Sequence, residues 1–332
     1  MLKTIKTLKV EFLITIMGLM LLLTPSINNK LISGEKEVQR YGLLIDQFAP
    51  NSNDPNSCSC NAIEFRDSLI TNGWSEDNFQ YLFGDDEITR LNLQIKMDDL
   101  EETVDANDVL VIFFGTHGHT CLRDVLHFND WFHEEFLEIK TDYKILLIDS
   151  CHASEFITPL LPYNQSESFY AMGSVSAEEF AIGFDDNDAQ NWQYSEPLFY
   201  GIISAHFWSE ALVDSMADSN KDDFISLQEM YNYSFPKIRA IYSEVFEFNP
   251  DLAQYILDNT GYIDNYPNPE VIQNLPEDFS LDYQYLNNLL EETAKLSQGA
   301  KIALIVGPIG GVLFVGTVVL LIFVRKKKAI NV

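Results

Sequence analysis

VLVIFFGTHGH, Val109 to His119, and YKILLIDSCHAS, Tyr143 to Ser154, are the stretches on which the fold turns. Each is an apolar run rich in β-branched and aromatic side chains that stops at polar, reactive residues, as a buried parallel strand does at its carboxyl end. The pattern predicts one strand over Val109 to Phe114 and a second over Ile145 to Ile148. Between them Val125 to Lys140 sets Leu126, Trp131, Phe132, Phe136 and Ile139 at roughly helical spacing. A helix there supplies the crossover that parallel neighbours require. His117 and Cys151 are then expected side by side at one edge of the sheet, where open α/β sheets place their chemistry.

A thiol beside an imidazole points to a cysteine nucleophile, because the thiolate is the reactive form and the imidazole takes its proton. Gly118, without a Cβ, lets the backbone after His117 approach a carbonyl closely. Its amide and that of Cys151 are the expected oxyanion donors. His119 and His152 are rival bases; they rank below His117, which alone directly precedes the glycine.

Outward from these two strands the alternation continues. Tyr41 to Asp46 (YGLLID) predicts a first strand, followed by a polar loop from Ala49 to Ser59 near the presumed site. Asn61 to Asn72 predicts a helix with Ile63, Leu69 and Ile70 inward, Phe79 to Phe83 a strand, and Thr89 to Val104 a helix. Ser168 to Met172 predicts a further strand, and Glu196 to Met216 a well-buried helix. Strand and helix in turn are the mark of an α/β fold, a mostly parallel sheet with helices on both faces.

The order hydrophobic strand, His-Gly, spacer, hydrophobic strand, Asp-x-Cys resembles the caspase-like cysteine peptidases, legumains and metacaspases among them. DSCHAS is similar to the DSCHSG of metacaspases, and Asn61 to Asp86 (NAIEFRDSLITNGWSEDNFQYLFGDD) looks more like the legumain family. The resemblance spans roughly Tyr41 to Ala240. It implies a His117–Cys151 dyad with no obligatory third member, and a pocket for the residue before the cut shaped by Asp149 and by the loop from Gly173-Ser174 through Glu178, Glu179, Asp185, Asp186 and Asp188. A carboxylate at position 149 favours Arg or Lys through charge-assisted hydrogen bonds; legumains, which prefer Asn, carry an acid there too. GTHGH in place of Ser-Gly-His-Gly, and Ala153-Ser154 in place of Ser-Gly, leave every reacting atom present.

DSNKDDFISLQE, Asp218 to Glu229, places Asp218, Asn220, Asp222, Ser226 and Glu229 at positions 1, 3, 5, 9 and 12 of an EF-hand calcium loop, with the Phe224 carbonyl at position 7. Asp223 stands where the sharp turn wants glycine. Calcium is the expected cofactor, and nothing calls for an organic one.

The ends read differently from the middle. Residues 1–25 combine Lys3, Lys6 and Lys9 with a short apolar core from Phe12 to Leu23, the pattern of a signal peptide or, alternatively, an N-terminal anchor. Ile302 to Val324 is uncharged and long enough to span a bilayer. Arg325 to Lys328 follow at once, so residues 325–332 are expected as a cytoplasmic basic tail and the body outside or in a lumen. Residues 38–240 are then the peptidase domain and 241–300 a stalk.

The chain carries a net charge of −29. Without residues 1–30 and 301–332 the remainder holds 12 bases against 49 acids, about −37. Such a field excludes nucleic acid as a natural partner and suits cationic substrates or calcium. Of the cysteines other than Cys151, Cys121 is positioned for a bridge with Cys58 or Cys60, which would brace the rim of the site. Peptide or protein substrates and the membrane are thus the expected partners. Acyl transfer to an amine by the same dyad, and a non-catalytic calcium-binding surface protein, are the competing readings.

Overall fold

Every residue of Val109–Gly115 is buried, and its side chains divide between two cores. Leu110, Ile112 and Phe114 face one layer of helices; Val109, Val111 and Phe113 face the other. A strand covered on both sides needs apolar residues at every position, which is why the run is continuous rather than alternating. Each large side chain so buried contributes about 1.5–3 kcal/mol.

The computed structural model describes residues 38–48, 61–184, 201–248, 250–259, 266–285 and 287–288. In chain order the elements are β1 (Arg40–Asp46), α1 (Asn61–Thr71), β2 (Phe79–Phe83), α2 (Arg90–Thr103), β3 (Val109–Gly115), α3 (Phe132–Glu138), β4 (Tyr143–Asp149), α4 (Ala153–Ile157), β5 (Phe169–Gly173), β6 (Gly183–Phe184), β7 (Gly201–Ile202), α5 (Ile203–Ala211), α6 (Leu227–Phe248), α7 (Pro250–Asn259) and β8 (Glu270–Gln273). The main sheet runs β2-β1-β3-β4-β5-β8. Its first five strands are parallel, and β8 closes it antiparallel to β5. Residues from α2, α3 and α4 share one core, and residues from α1, α5 and α6 share the other. The fold is therefore a mixed α/β sheet, mostly parallel, with helices on both faces.

Several elements depart from expectation. The helix expected over Val125 to Lys140 is reduced to a 3-10 turn at Phe128–Asp130 and the short α3, and a π turn at Gly118–Arg123 precedes it. His127 takes a left-handed conformation (φ 48°), and the chain bends to bury Phe128, Trp131 and Phe132 together. In α1 it is Phe65 and Leu69 that are fully buried, while Ile63 and Ile70 lie half-buried at its margins. The helix expected to Met216 stops at Ala211, and Met216 is 81% exposed.

The boundary expected at residue 240 falls inside α6, and the stretch expected as a stalk supplies β8. Beyond it the Leu281 carbonyl accepts from the Trp74 indole (2.8 Å), and Tyr283 lies under the Arg40 guanidinium at 4.0 Å. Among the described residues no helix is long and apolar enough to cross a membrane. The expected signal peptide, residues 302–324, the basic tail, Cys58, Cys60 and residues 185–200 lie outside them.

Candidate active site

β3 and β4 pair in register, Gly115 against Asp149, so His117 and Cys151 each stand two residues beyond the same rung. Gly118 completes the junction: a Cβ there would lie 1.9 Å from the Cys151 carbonyl oxygen. The two chain ends are in backbone contact, and only glycine permits it.

His117 is exposed, with its ring edge-on to Phe48 at 5.0 Å. Its amide donates to Gln47 Oε1 (2.9 Å), Gln47 Nε2 donates to Asp85 Oδ1 (2.6 Å), and the Gln47 amide donates to Gly115 O (2.9 Å). Gln47 thus ties the His117 turn to the end of β1. Nothing in the local pattern around Gln47 marks it for this; only strand order brings it there.

Cys151 is half-buried, and its thiol donates to Ala181 O at 3.7 Å. Burial pushes the thiol up, and the nearby Asp149 charge adds to the rise. The thiol's hydrogen bond goes to the Ala181 carbonyl, while the His117 ring packs against Phe48. The rival histidines are engaged elsewhere. The His119 and His152 rings stack 4.0 Å apart; His119 Nε2 meets Glu155 Oε2 at 3.1 Å, and His152 Nδ1 lies 2.8 Å from Ala177 O. Burial lowers the His152 pKa, and facing His119 lowers it further.

Cys121 is a free, buried thiol inside the core, pushed up by burial to about 12. Its packing is that of a small apolar side chain rather than of half a surface bridge.

Asp149 is fully buried, as are Ser174 and Asp46 to within 1%. Asp46 pairs with Gly115, and Gly115 with Asp149, so the two aspartates sit on one rung of the sheet and on the same face, separated by a residue with no side chain. Each also serves a helix start: Asp46 Oδ2 accepts from Ala62 N (3.1 Å) in α1, and Asp149 Oδ2 from Ala205 N (2.6 Å) in α5. Asp149 is therefore a cap, as an acid at a strand end often is. Its second oxygen, however, has no hydrogen-bond partner, and neither has the Ser174 hydroxyl. That hydroxyl still lies close enough to favour the ionised carboxylate. Asp46 was not singled out by sequence; its place beside Asp149 follows from strand order alone.

Burial, with the Asp46 charge adding to it, raises the Asp149 pKa to about 7. Unfolded, the group titrates near its ordinary value of 3.8. Between those pH values the native chain holds the extra proton, so this carboxyl makes the fold less stable as pH rises through the window. Asp149→Asn is expected to raise Tm at pH 8, by the equivalent of about 1–3 kcal/mol, and to leave it unchanged near pH 3. Thermal melts at both values check the sign.

The loop from Asp218 to Glu229 has the turn that the spacing calls for. Asp223 adopts φ 71°, the left-handed conformation that glycine usually supplies, and Glu229 lies in the first turn of α6. Asp218 accepts from the amides of Lys221, Asp222 and Asp223. Glu229 Oε1 accepts from Ser219 and Asn220 amides, and Oε2 from the Ser226 amide and hydroxyl. Among the described residues no three acidic, histidine or cysteine side chains converge closely enough to hold a metal ion.

Compared with known proteins, the chain matches no family profile and no curated sequence.

Proposed function

We propose that this chain is a cysteine endopeptidase of the caspase-like superfamily, legumain-like or metacaspase-like, with His117 and Cys151 as its dyad. The observation that carries the reading is the shared rung: both residues leave adjacent parallel strands at the same height, with Gly118 against the Cys151 carbonyl. The Cys151 sulfur attacks the scissile carbonyl carbon and its proton passes to His117. The amides of Gly118 and Cys151 bind the oxyanion. Collapse breaks the C–N bond, His117 protonates the leaving amine, and water, deprotonated by His117, hydrolyses the thioester. No organic cofactor enters these steps.

Asp149, with Asp46 beside it and Ser174 across from it, supports a preference for Arg or Lys before the cut. A substrate cation brought to Asp149, as the resemblance implies, would give its open oxygen a partner and favour the ionised carboxyl. The localisation proposed is a single-pass membrane protein anchored by Ile302 to Val324, its catalytic domain extracellular or luminal. The test is a peptide panel with Arg, Lys, Asn or Asp before the cut, run with and without an added amine. Cleavage after basic residues supports the reading, amine-linked product makes the chain a transamidase, and no turnover of any peptide removes the peptidase.

Calcium is proposed for the loop from Asp218 to Glu229, through Asp218, Asn220, Asp222, the Phe224 carbonyl, Ser226 and Glu229. The Asp223 turn suits it; the Glu229 carboxylate would exchange loop amides for the ion. Glu229→Gln, which loses a bidentate carboxylate, is expected to weaken binding at least tenfold, on the order of 1.4 kcal/mol. Calorimetry at millimolar calcium reads it, and a parent protein that gives no heat ends the claim.

A further inference from the structure

One segment braces the turn that carries Cys151. Alternate carbonyls along residues 175–181 each receive a bond from that turn. Val175 O accepts from the Ser154 amide (3.1 Å) and hydroxyl (2.6 Å), and Glu179 O from the His152 amide (2.8 Å). Ala177 O meets the His152 ring at 2.8 Å, and Ala181 O takes the thiol of Cys151 itself.

His152 adopts φ 59°, a left-handed conformation that costs a residue with a Cβ and persists only where neighbours over-determine it. The bonds to Ala177 and Glu179 are what over-determine it here.

The brace is locked in turn from a distant part of the chain. Glu179 is 1% exposed; its Oε2 accepts from the amides of Ser176 (2.9 Å) and Asn268 (2.8 Å), and its Oε1 from Asn268 Nδ2 (2.6 Å). Asn268 stands just before β8, whose pairing with β5 holds it in place. A buried carboxylate is a poor device for stability alone, since apolar packing does as well without the desolvation cost. Fully bonded by directional amides, it fixes where the neighbouring carbonyls point.

We propose that Asn268 is a positioning residue for Cys151: through Glu179 it keeps His152 left-handed and so aims the nucleophile turn. The proposal rests on Cys151 as the reacting group, and its first readout does not require that the protein cleave anything.

The full-length protein is treated with iodoacetamide across a pH range, and the rate of Cys151 alkylation is followed by mass spectrometry for the parent, Asn268→Ala and Asn274→Ala. Asn268→Ala keeps the backbone bond to Glu179, so the segment stays docked. Asn274, at the far end of β8, accepts from the Phe169 amide at 3.0 Å and controls for general loosening of that strand. The expected result is a displaced pH profile for Asn268→Ala, with a change in rate of about threefold or more at fixed pH, and the parent profile for Asn274→Ala. Against a cleaved peptide, Asn268→Ala is expected to lower kcat about tenfold with KM little changed, and Asn268→Gln, which keeps an amide donor, to recover most of it.

An Asn268→Ala profile identical to the parent's, or the same displacement in Asn274→Ala, overturns the proposal. Glu179→Gln, which sets an amide group against the Asn268 donors, must shift the profile the same way or the proposal also fails. A parent that cleaves no peptide sinks the peptidase reading alone, and the alkylation profiles still decide the role of Asn268.

Discussion

Replacing Cys151 by alanine is expected to remove peptide cleavage, with kcat/KM falling roughly four decades or more. Groups that act as one catalytic unit are not additive, so His117→Ala should cost nearly as much, and the double variant little more than either single one. Cys151 lies at the end of a strand whose register is set by seven paired residues, none of them altered, so the melting temperature should stay close to that of the parent. The thiol also sits half-buried under residues 175–181, and its loss leaves only a small void. Steady-state kinetics on the best peptide, beside a thermal melt, separate a missing nucleophile from a missing fold. Cleavage that persists at the parent rate in Cys151→Ala would exclude the mechanism outright.

Gly118→Ala carries the second large effect, and for a different reason. The added Cβ would meet three atoms of the Cys151 backbone, at 1.9, 2.9 and 3.5 Å. Backbone cannot move aside as the tip of a flexible side chain does, so the two strand ends must separate. That displaces the donors expected to bind the oxyanion, each typically worth about two to three decades in rate, and strains the junction by about 1–3 kcal/mol. Activity is therefore expected to fall at least a hundredfold with only a modest drop in Tm. Should the variant retain full activity, the proposed oxyanion site is in the wrong place. Alkylation of Cys151 in Gly118→Ala gives an independent reading of whether the turn has moved.

The paired strands β3 and β4 were legible because burial on both faces leaves no choice of residue. An uninterrupted apolar run ending in Gly-Thr-His-Gly or Asp-Ser-Cys reads as a buried strand with a candidate site at its end. The crossover between them was legible only as a link. Its near-helical spacing is real, but Phe128, Trp131 and Phe132 gain more by filling the core than by continuing one helix, and the chain breaks to let them. Asp149 was legible as an acid two residues before the cysteine, whereas Asp46, more than one hundred residues earlier and on the same rung, carries no local signal. Their common rung exists because β3 is laid between β1 and β4.

The stretch after residue 240 shows the same limit most plainly. Its prolines and polar residues gave no reason to expect a strand, and four residues, Glu270–Gln273, become one by taking the open edge of β5. Edge pairing depends on an exposed row of backbone groups elsewhere in the molecule, not on the propensity of the segment that fills it.

By itself the sequence determined the alternation of strand and helix, the two strand ends that carry His117 and Cys151, and the glycine that follows His117, because these follow from period, apolar content and residue type. Which residues meet across that edge, Gln47 behind His117, Asp46 opposite Asp149, Asn268 behind the turn of Cys151, was decided only by tertiary structure. Hydrogen bonds and buried charges act through space over a few ångströms, and strand order, not position along the chain, sets what lies within that reach.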